Sequence, residues 1–283
     1  MTSRPVKPPF TKSAMTRKTL GRERKQDMRR KNALVIGIAN RDSISAGIAE
    51  ELSANGYNLI PTYLNEKALP YVKEVTDPLG VSRLFPFQVG NDQQLQAIVK
   101  HLRAEGLRLD VFVHGIAFAS EIKKDLHEVS WKSFMDSTRV SAFSLVEITS
   151  QLIRADVLNP GGCILTLSYI GSHLAVEGYN MMGPVKSILE ALVRGLASEL
   201  GGKHIRVNAI SPGPVMTRAA SGIKGFSNLL HVAQTSSPLN RTASIEDIGK
   251  IAFEVISNPS ITGAVYLVDC GSSVTIRVPS EQS

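Results

Sequence analysis

The residues whose types and spacing could do chemistry are Tyr169, Tyr179 and Lys186, all within residues 167–200, LSYIGSHLAVEGYNMMGPVKSILEALVRGLASEL. An unperturbed phenol, with a pKa of about 10, is a weak proton donor at neutral pH, and a nearby ammonium favours its ionised form. Tyr179 and Lys186 stand seven residues apart. In a helix that is about two turns, so the lysine can tune the phenol over a bound ligand on one shared face. Tyr169 follows the apolar run 163–167. It offers a second hydroxyl at a strand C-terminus, where α/β sheets present their ligand-binding groups.

These residues need elements to hold them. Beyond Tyr179, the residues Met182, Val185, Ile188, Leu189, Leu192, Val193, Leu196 and Leu200 recur at three- and four-residue intervals. That is the stripe of a core-facing helix. Upstream, residues 33–37 read as a strand that turns into a helix near residues 43–55. There Gly37 permits close backbone approach, Ser43 can cap the helix, and the helix N-terminus favours a pyrophosphate. Gly47 would let that helix sit close to its strand. The usual three-glycine fingerprint is absent.

A second strand, 57–63, leads to Tyr63-Leu64-Asn65. This position normally carries an acid for a ribose hydroxyl or a base for a 2′-phosphate, and here it has neither. With Arg41 the nearest expected cation, the reading favours NADH and leaves NADPH open. Strand 82–88 ends in Gln88-Val89, placed to hold adenine, and a helix spans 93–102. Strand 110–114 empties into the small-residue loop 115–119, suited to packing on a ribose and nicotinamide. His114 reads as a packed core histidine with nothing nearby to orient it.

Residues 131–154 form one long helix, a natural oligomer surface, and residues 159–162 (NPGG) turn the chain into the strand before Tyr169. After strand 205–210, two prolines and Gly213 in residues 211–217 fix a turn whose backbone could grip a nicotinamide carboxamide, with Thr217 adding a hydroxyl near the phosphates. Residues 218–234 are amphipathic but broken by Gly222 and Gly225, the pattern of a mobile lid, about 217–235, over an apolar chain. A helix over 244–255 and a strand over 264–268 complete the pattern. Strands and helices alternate throughout, which predicts a single-domain, Rossmann-type doubly wound parallel sheet with a short helical lid.

The formal charge of +7 suggests nucleic acid until it is divided. Residues 1–31 hold eleven Lys or Arg against Glu23 and Asp27, a net +9 that leaves −2 for the rest. The basicity belongs to an N-terminal arm expected to be disordered, while residues 32–273 form the globular domain and 274–283 a tail. The arm lacks the apolar core of a secretory signal, and its scarcity of acids leaves organellar import open beside a cytoplasmic reading. No run approaches a membrane span, and Cys163 and Cys270 read as reduced core residues. The histidines lack metal-ligand spacing and no Gly-x-Ser-x-Gly elbow occurs, so neither a metal site nor a serine hydrolase is expected.

From about Asn32 to Ser272 the chain resembles the short-chain dehydrogenase/reductase superfamily, and closely its enoyl-acyl-carrier-protein reductase branch. Most of the superfamily places lysine four residues after tyrosine, where this chain has Gly183; the longer spacing to Lys186, with Tyr169 upstream, is similar to the enoyl-reductase arrangement. Residues 37–44, 114–119 and 208–223 (NAISPGPVMTRAASGI) share the likeness. The resemblance implies NADH-driven reduction of a trans-2-enoyl thioester on acyl carrier protein by a homotetramer. Tyr179 would bond the enolate oxygen, Lys186 would hold the nicotinamide ribose, and Tyr169 would line the substrate site. Gly37, Ser43, Ile44, Leu64, Gln88, Val89, Ile116 and residues 215–217 would surround the dinucleotide, and Ala119 would touch substrate.

Several positions depart from the family. Leu64 stands where relatives often have glutamine, Gln88 where they have aspartate and Gly115 where they have serine. Ser227 and Asn228 replace bases for the acidic carrier, while Lys224 is kept. The competing readings are a 3-ketoacyl or specialised-pathway reductase using the same site, and a non-catalytic module that senses dinucleotide while its arm contacts nucleic acid.

Overall fold

Apolar strands and amphipathic helices alternate along the chain, and the computed structural model describes residues 30–217, 220, 223 and 225–276. All but Arg30 belong to the unit Lys31–Ser283. The strands are β1 (Asn32–Ile36), β2 (Asn58–Tyr63), β3 (Phe85–Pro86), β4 (Leu109–His114), β5 (Leu158–Leu167), β6 (Arg206–Pro212) and β7 (Val265–Val268). They form one parallel sheet in the order β3-β2-β1-β4-β5-β6-β7. Successive strands run outward from β1 on one side and restart at β4 on the other. The C-terminal ends of β1 and β4 therefore flank the switch-point crevice where such sheets bind ligands.

The helices are α1 (Ile44–Ala54), α2 (Leu69–Thr76), α3 (Asp92–Ala104), α4 (Trp131–Thr138), α5 (Ser144–Arg154), α6 (Met182–Leu200), α7 (Phe226–Ser236) and α8 (Ile245–Ser257). Strand side chains alternate between two cores, as the two-residue period of a pleated strand requires. Leu34, Phe112, Ile164 and Val207 pack with Leu102 of α3, Leu152 of α5 and Leu189 of α6. Val35, Val111, Val113 and Leu165 face Ile48 of α1, Val72 of α2 and Ile248 of α8. With both faces covered, the strands are apolar nearly throughout. The predicted doubly wound fold is the one observed.

Several local expectations change. Of residues 82–88 only Phe85–Pro86 forms a strand on β2, with Phe87 N–H adding one bond to Tyr63 O at 2.8 Å; the strand is outermost and Pro86 has no N–H to donate. The expected turn at 159–162 is an irregularity inside β5: Leu158 pairs with Leu109 and Cys163 with Val111, so the extra residues loop out around Gly161, whose φ is +85°. The long helix 131–154 is interrupted by a π-helical turn at Arg139–Phe143, joining α4 to α5. Gly47 faces another helix rather than its strand: a Cβ there would lie 2.3 Å from Ile245 Cγ2. It lets α1 and α8 pack backbone to backbone, and Gly249 does the same from the other side, where a Cβ would lie 2.7 Å from Gly47 O.

Ser244 and Asp247 form a reciprocal capping box at the start of α8, which fixes that helix where the sequence placed it. The proposed lid region includes α7, whereas residues 218, 219, 221, 222 and 224 lie outside the described residues, as do the arm to residue 29 and the tail from residue 277. Cys270 is not a full core residue as expected; it sits half-buried just beyond β7 at φ +56°. Among the described residues no helix is long and apolar enough to cross a membrane.

Candidate active site

Tyr179 sits on the turn entering α6, not on the helix itself. The helix begins at Met182 because Asn180 takes a left-handed backbone, φ +43°, and Met182 N–H closes the turn onto Tyr179 O at 3.0 Å. Glycine makes room for the ring: a Cβ on Gly171 would lie 2.6 Å from Tyr179 Cδ1. Gly183 lets the same turn, Ile170–Ser172, press onto α6, since a Cβ there would lie 2.8 Å from Gly171 O. That contact leaves no room for a side chain four residues after the tyrosine, a physical reason for the lysine to come later.

The structure brings Tyr169 and Tyr179 together edge to face, with ring centroids 4.6 Å apart and planes at 62°. Lys186, buried on α6, donates from Nζ to Leu167 O at 2.6 Å, at the end of the strand that leads into Tyr169. Among the described residues neither phenol hydroxyl is hydrogen-bonded, and Lys186 bonds neither of them.

The expected tuning of the phenol by the lysine is overturned. Burial, with Tyr169 adding to it, pushes the Tyr179 phenol well above the ordinary range, and burial pushes Tyr169 up to about 12. Burial likewise lowers Lys186 to about 8, opposed by the charge of Glu190. Desolvation is the largest cause for all three groups, so both phenols stay neutral donors and the lysine is an ammonium at neutral pH.

His114 is a core residue, as expected, but two groups do orient it. Nδ1 lies 2.8 Å from Thr166 Oγ1 and Nε2 lies 2.8 Å from Ser144 Oγ. Burial and the nearby Lys186 lower it to about 3. It is a neutral spacer between β4, β5 and α5.

The crevice mouth is built for close approach. Gly37 has φ +108° and its missing Cβ would lie 2.1 Å from Gly115 O; a Cβ on Gly115 would lie 1.9 Å from Ser45 Oγ. Ser45, buried on α1, thus fills the space a serine at 115 would need. Ser43 does not cap α1. Its hydroxyl donates to Asn40 O at 2.7 Å and accepts from Ala39 N–H at 3.3 Å. The first turn of α1 therefore has no side-chain cap and no acid, as an anion at that helix terminus requires. A glycine cradle leading to an uncapped helix N-terminus fits a dinucleotide pyrophosphate. Beyond it, Ser141 in the π-helical turn grips the loop after β4 twice, accepting from Phe118 N–H at 2.8 Å and donating to Phe118 O at 3.0 Å.

The remaining expected contacts are spread along the crevice. Ile44 starts α1, and Ile116 and Ala119 pack half-buried against the core. Val215 packs on the opposite core, Met216 is exposed, and Thr217 Oγ1 accepts from Ala220 N–H at 3.1 Å. At the far end Leu64 is 56% exposed, Gln88 is exposed and Val89 half-buried. Tyr63 donates to the exposed Glu66 Oε1 at 3.2 Å, and Arg41 donates to Glu74 O at 3.1 Å. Ser45, Ser141 and Glu190 escaped the sequence reading, because small hydroxyls and a helix glutamate carry no motif.

The sheet order and this crevice define a dinucleotide-binding protein of Rossmann type. The model of the family described as "Enoyl-(Acyl carrier protein) reductase" matches residues 37–273. An NADH enoyl-acyl-carrier-protein reductase from Nostoc is 41% identical over 251 residues, covering 86% of this chain and 96% of that protein. Its counterpart from Salmonella typhimurium is 39% identical over 249 residues, 86% and 94%. Among solved structures, the NADH-dependent reductase of Aquifex aeolicus superposes with a TM-score of 0.82 at 35% identity, over 87% of this chain and 97% of that one. The Anaplasma phagocytophilum reductase in complex with NAD gives 0.82 at 38% identity, over 87% and 94%. The chain belongs to the enoyl-(acyl carrier protein) reductase family of short-chain dehydrogenases/reductases.

Proposed function

We infer that this protein reduces the trans-2 double bond of enoyl-acyl-carrier-protein thioesters with NADH, in fatty-acid biosynthesis. The observation that carries the reading is the packed tyrosine pair, Tyr179 buried and Tyr169 half-buried, beside a buried lysine at the C-terminal end of β5. When bound, NADH supplies the hydride that reaches the β-carbon of the substrate. Gly37, Ser43, Ile44 and the loop 115–119 would hold the dinucleotide against the sheet, with Val215, Met216 and Thr217 closing over its nicotinamide half. Leu64, Gln88 and Val89 would line the adenine half.

As hydride adds to the β-carbon, negative charge gathers on the thioester oxygen, and uptake of a proton at the α-carbon then completes the reduction. Tyr179, kept neutral by burial, donates a hydrogen bond to that oxygen. Lys186 spends one N–H on Leu167 O and has two left for the ribose, so its charge stands near the developing oxyanion. A preorganised donor of this kind is worth about 3–4 kcal/mol. Tyr169 lines the acyl site against the Tyr179 ring, and Ala119 borders the substrate on the side of β4.

The finer assignments belong to the same proposal. Trp131, Met135 and Phe143 expose apolar surface on α4 and the π-helical turn, which supports self-association into a homotetramer. Ser227 and Asn228 are exposed at the start of α7, so the carrier protein meets fewer charges there than the family pattern provides. We place the enzyme in the cytoplasm, without nucleic-acid partners, and the reductase domain at residues 32–273. Deleting residues 1–30 then leaves turnover unchanged. The test is NADH and NADPH oxidation measured side by side with a crotonyl thioester. Turnover favouring NADH is expected. Turnover only on a 3-ketoacyl thioester would replace this reading.

A further inference from the structure

One buried acid at the site has no part in the chemistry above. Glu190 lies on α6 one helical turn beyond Lys186 and is 2% exposed. Its Oε1 accepts from Ser168 Oγ at 2.5 Å and from Ser172 Oγ at 2.7 Å, and its Oε2 lies 2.8 Å from His173 Nε2. Ser168 and Ser172 bracket Tyr169 and Gly171, the residue against which Tyr179 is seated. Ser187 closes the arrangement by donating to Ser172 O at 2.6 Å. A carboxylate left in the core without partners costs several kcal/mol, so a fold keeps one there only when donors and a counter-charge surround it.

We propose that Glu190 is the positioning residue of this site: its carboxylate fixes the Tyr169 turn from both ends and serves as counter-charge to the Lys186 ammonium. The proposal rests on the reductase reading above, and it explains how a lysine can stay charged in so dry a place. The groups facing Lys186 are few. Glu190 approaches from its own helix, the Leu167 carbonyl from β5 and neutral His114 from β4; the Tyr169 and Tyr179 phenols, also neutral, flank the same strand end. Of these only Glu190 supplies negative charge. His173, with its side chain 64% exposed, joins the carboxylate to solvent.

Glu190→Gln separates charge from shape, because an amide oxygen can still accept from both serines. In cofactor-free protein, the Lys186 resonance, labelled with ¹³C and assigned by its loss in Lys186→Arg, reports its titration without substrate. The midpoint should fall by about one pH unit or more in Glu190→Gln, as expected when a nearby opposite charge is removed. The alkaline limb of enoyl reduction should move with it. An unchanged midpoint would overturn the counter-charge. The Ser168→Ala/Ser172→Ala double variant keeps the acid but frees the turn, and it decides the clamp whether or not the glutamine variant folds. Turnover should fall about tenfold or more as Tyr169 loses its position. Wild-type turnover would overturn the clamp. A wrong substrate assignment would abolish the activity readout in the parent protein while leaving the Lys186 titration intact, so the two failures are distinguishable.

Discussion

The two ends of the crevice are built from opposite materials. At the end of β4 and β5, Lys186, Tyr179, His114 and Glu190 are all buried, and each polar head but the Tyr179 hydroxyl meets a partner from another element. At the ends of β2 and β3, Leu64 and Gln88 lie in solvent on the sheet's thin edge. Low dielectric strengthens every electrostatic interaction and moves every pKa, whereas a wet edge screens both. The dry end is where a developing charge can be stabilised, and the wet end can contribute little beyond affinity.

That contrast is best broken from the dry end. Lys186→Met should lower kcat/KM for enoyl thioesters by about 10²–10³-fold, the usual cost of losing one preorganised electrostatic partner. Stopped-flow NADH consumption would measure it; a loss under threefold would mean the lysine is only structural. The next largest effect is at the crevice mouth. Gly115→Ser puts a Cβ 1.9 Å from Ser45 Oγ and should cost about 1–3 kcal/mol of stability. Adding Ser45→Ala should restore most of that loss in thermal unfolding, and failure to do so would uncouple the two positions.

The pH dependence follows with a definite sign. Lys186, lowered to about 8 by burial, is charged below that pH and neutral above it, so turnover should decline as pH rises through about 8. His114, near 3, stays neutral across the assay range and should add no inflection between about pH 5 and 8. The smallest effect belongs to the wet end. Leu64→Gln should change the KM for NADH by about threefold or less and leave kcat alone, in keeping with an exposed contact. A large change in kcat there would erase the contrast.

How much of this was legible follows from how local each signal is. The strands and helices were readable because their periodicity is carried by neighbours in the chain, and the lysine spacing pointed to the reaction class. The start of α6 was not, since it depends on the left-handed turn at Asn180 and on Gly171 pressing from another segment. The direction of the Tyr179 shift was misjudged because spacing reveals a neighbouring cation but not the water that burial removes. Glu190 carried no signal, being one glutamate among the polar residues of a helix. Its partners Ser168 and Ser172 lie 22 and 18 residues away, so only folding brings them to it.

The most direct test is Tyr179→Phe, which removes one oxygen from a buried ring and leaves its packing against Tyr169 intact. With enoyl thioester turnover and NADH affinity measured on the same preparation, kcat should fall about 10²-fold while the dissociation constant for NADH stays within about twofold of the parent. Undiminished kcat would show that the hydroxyl does not bond the reacting oxygen, and the assignment of the chemistry to the buried end of the crevice would be wrong.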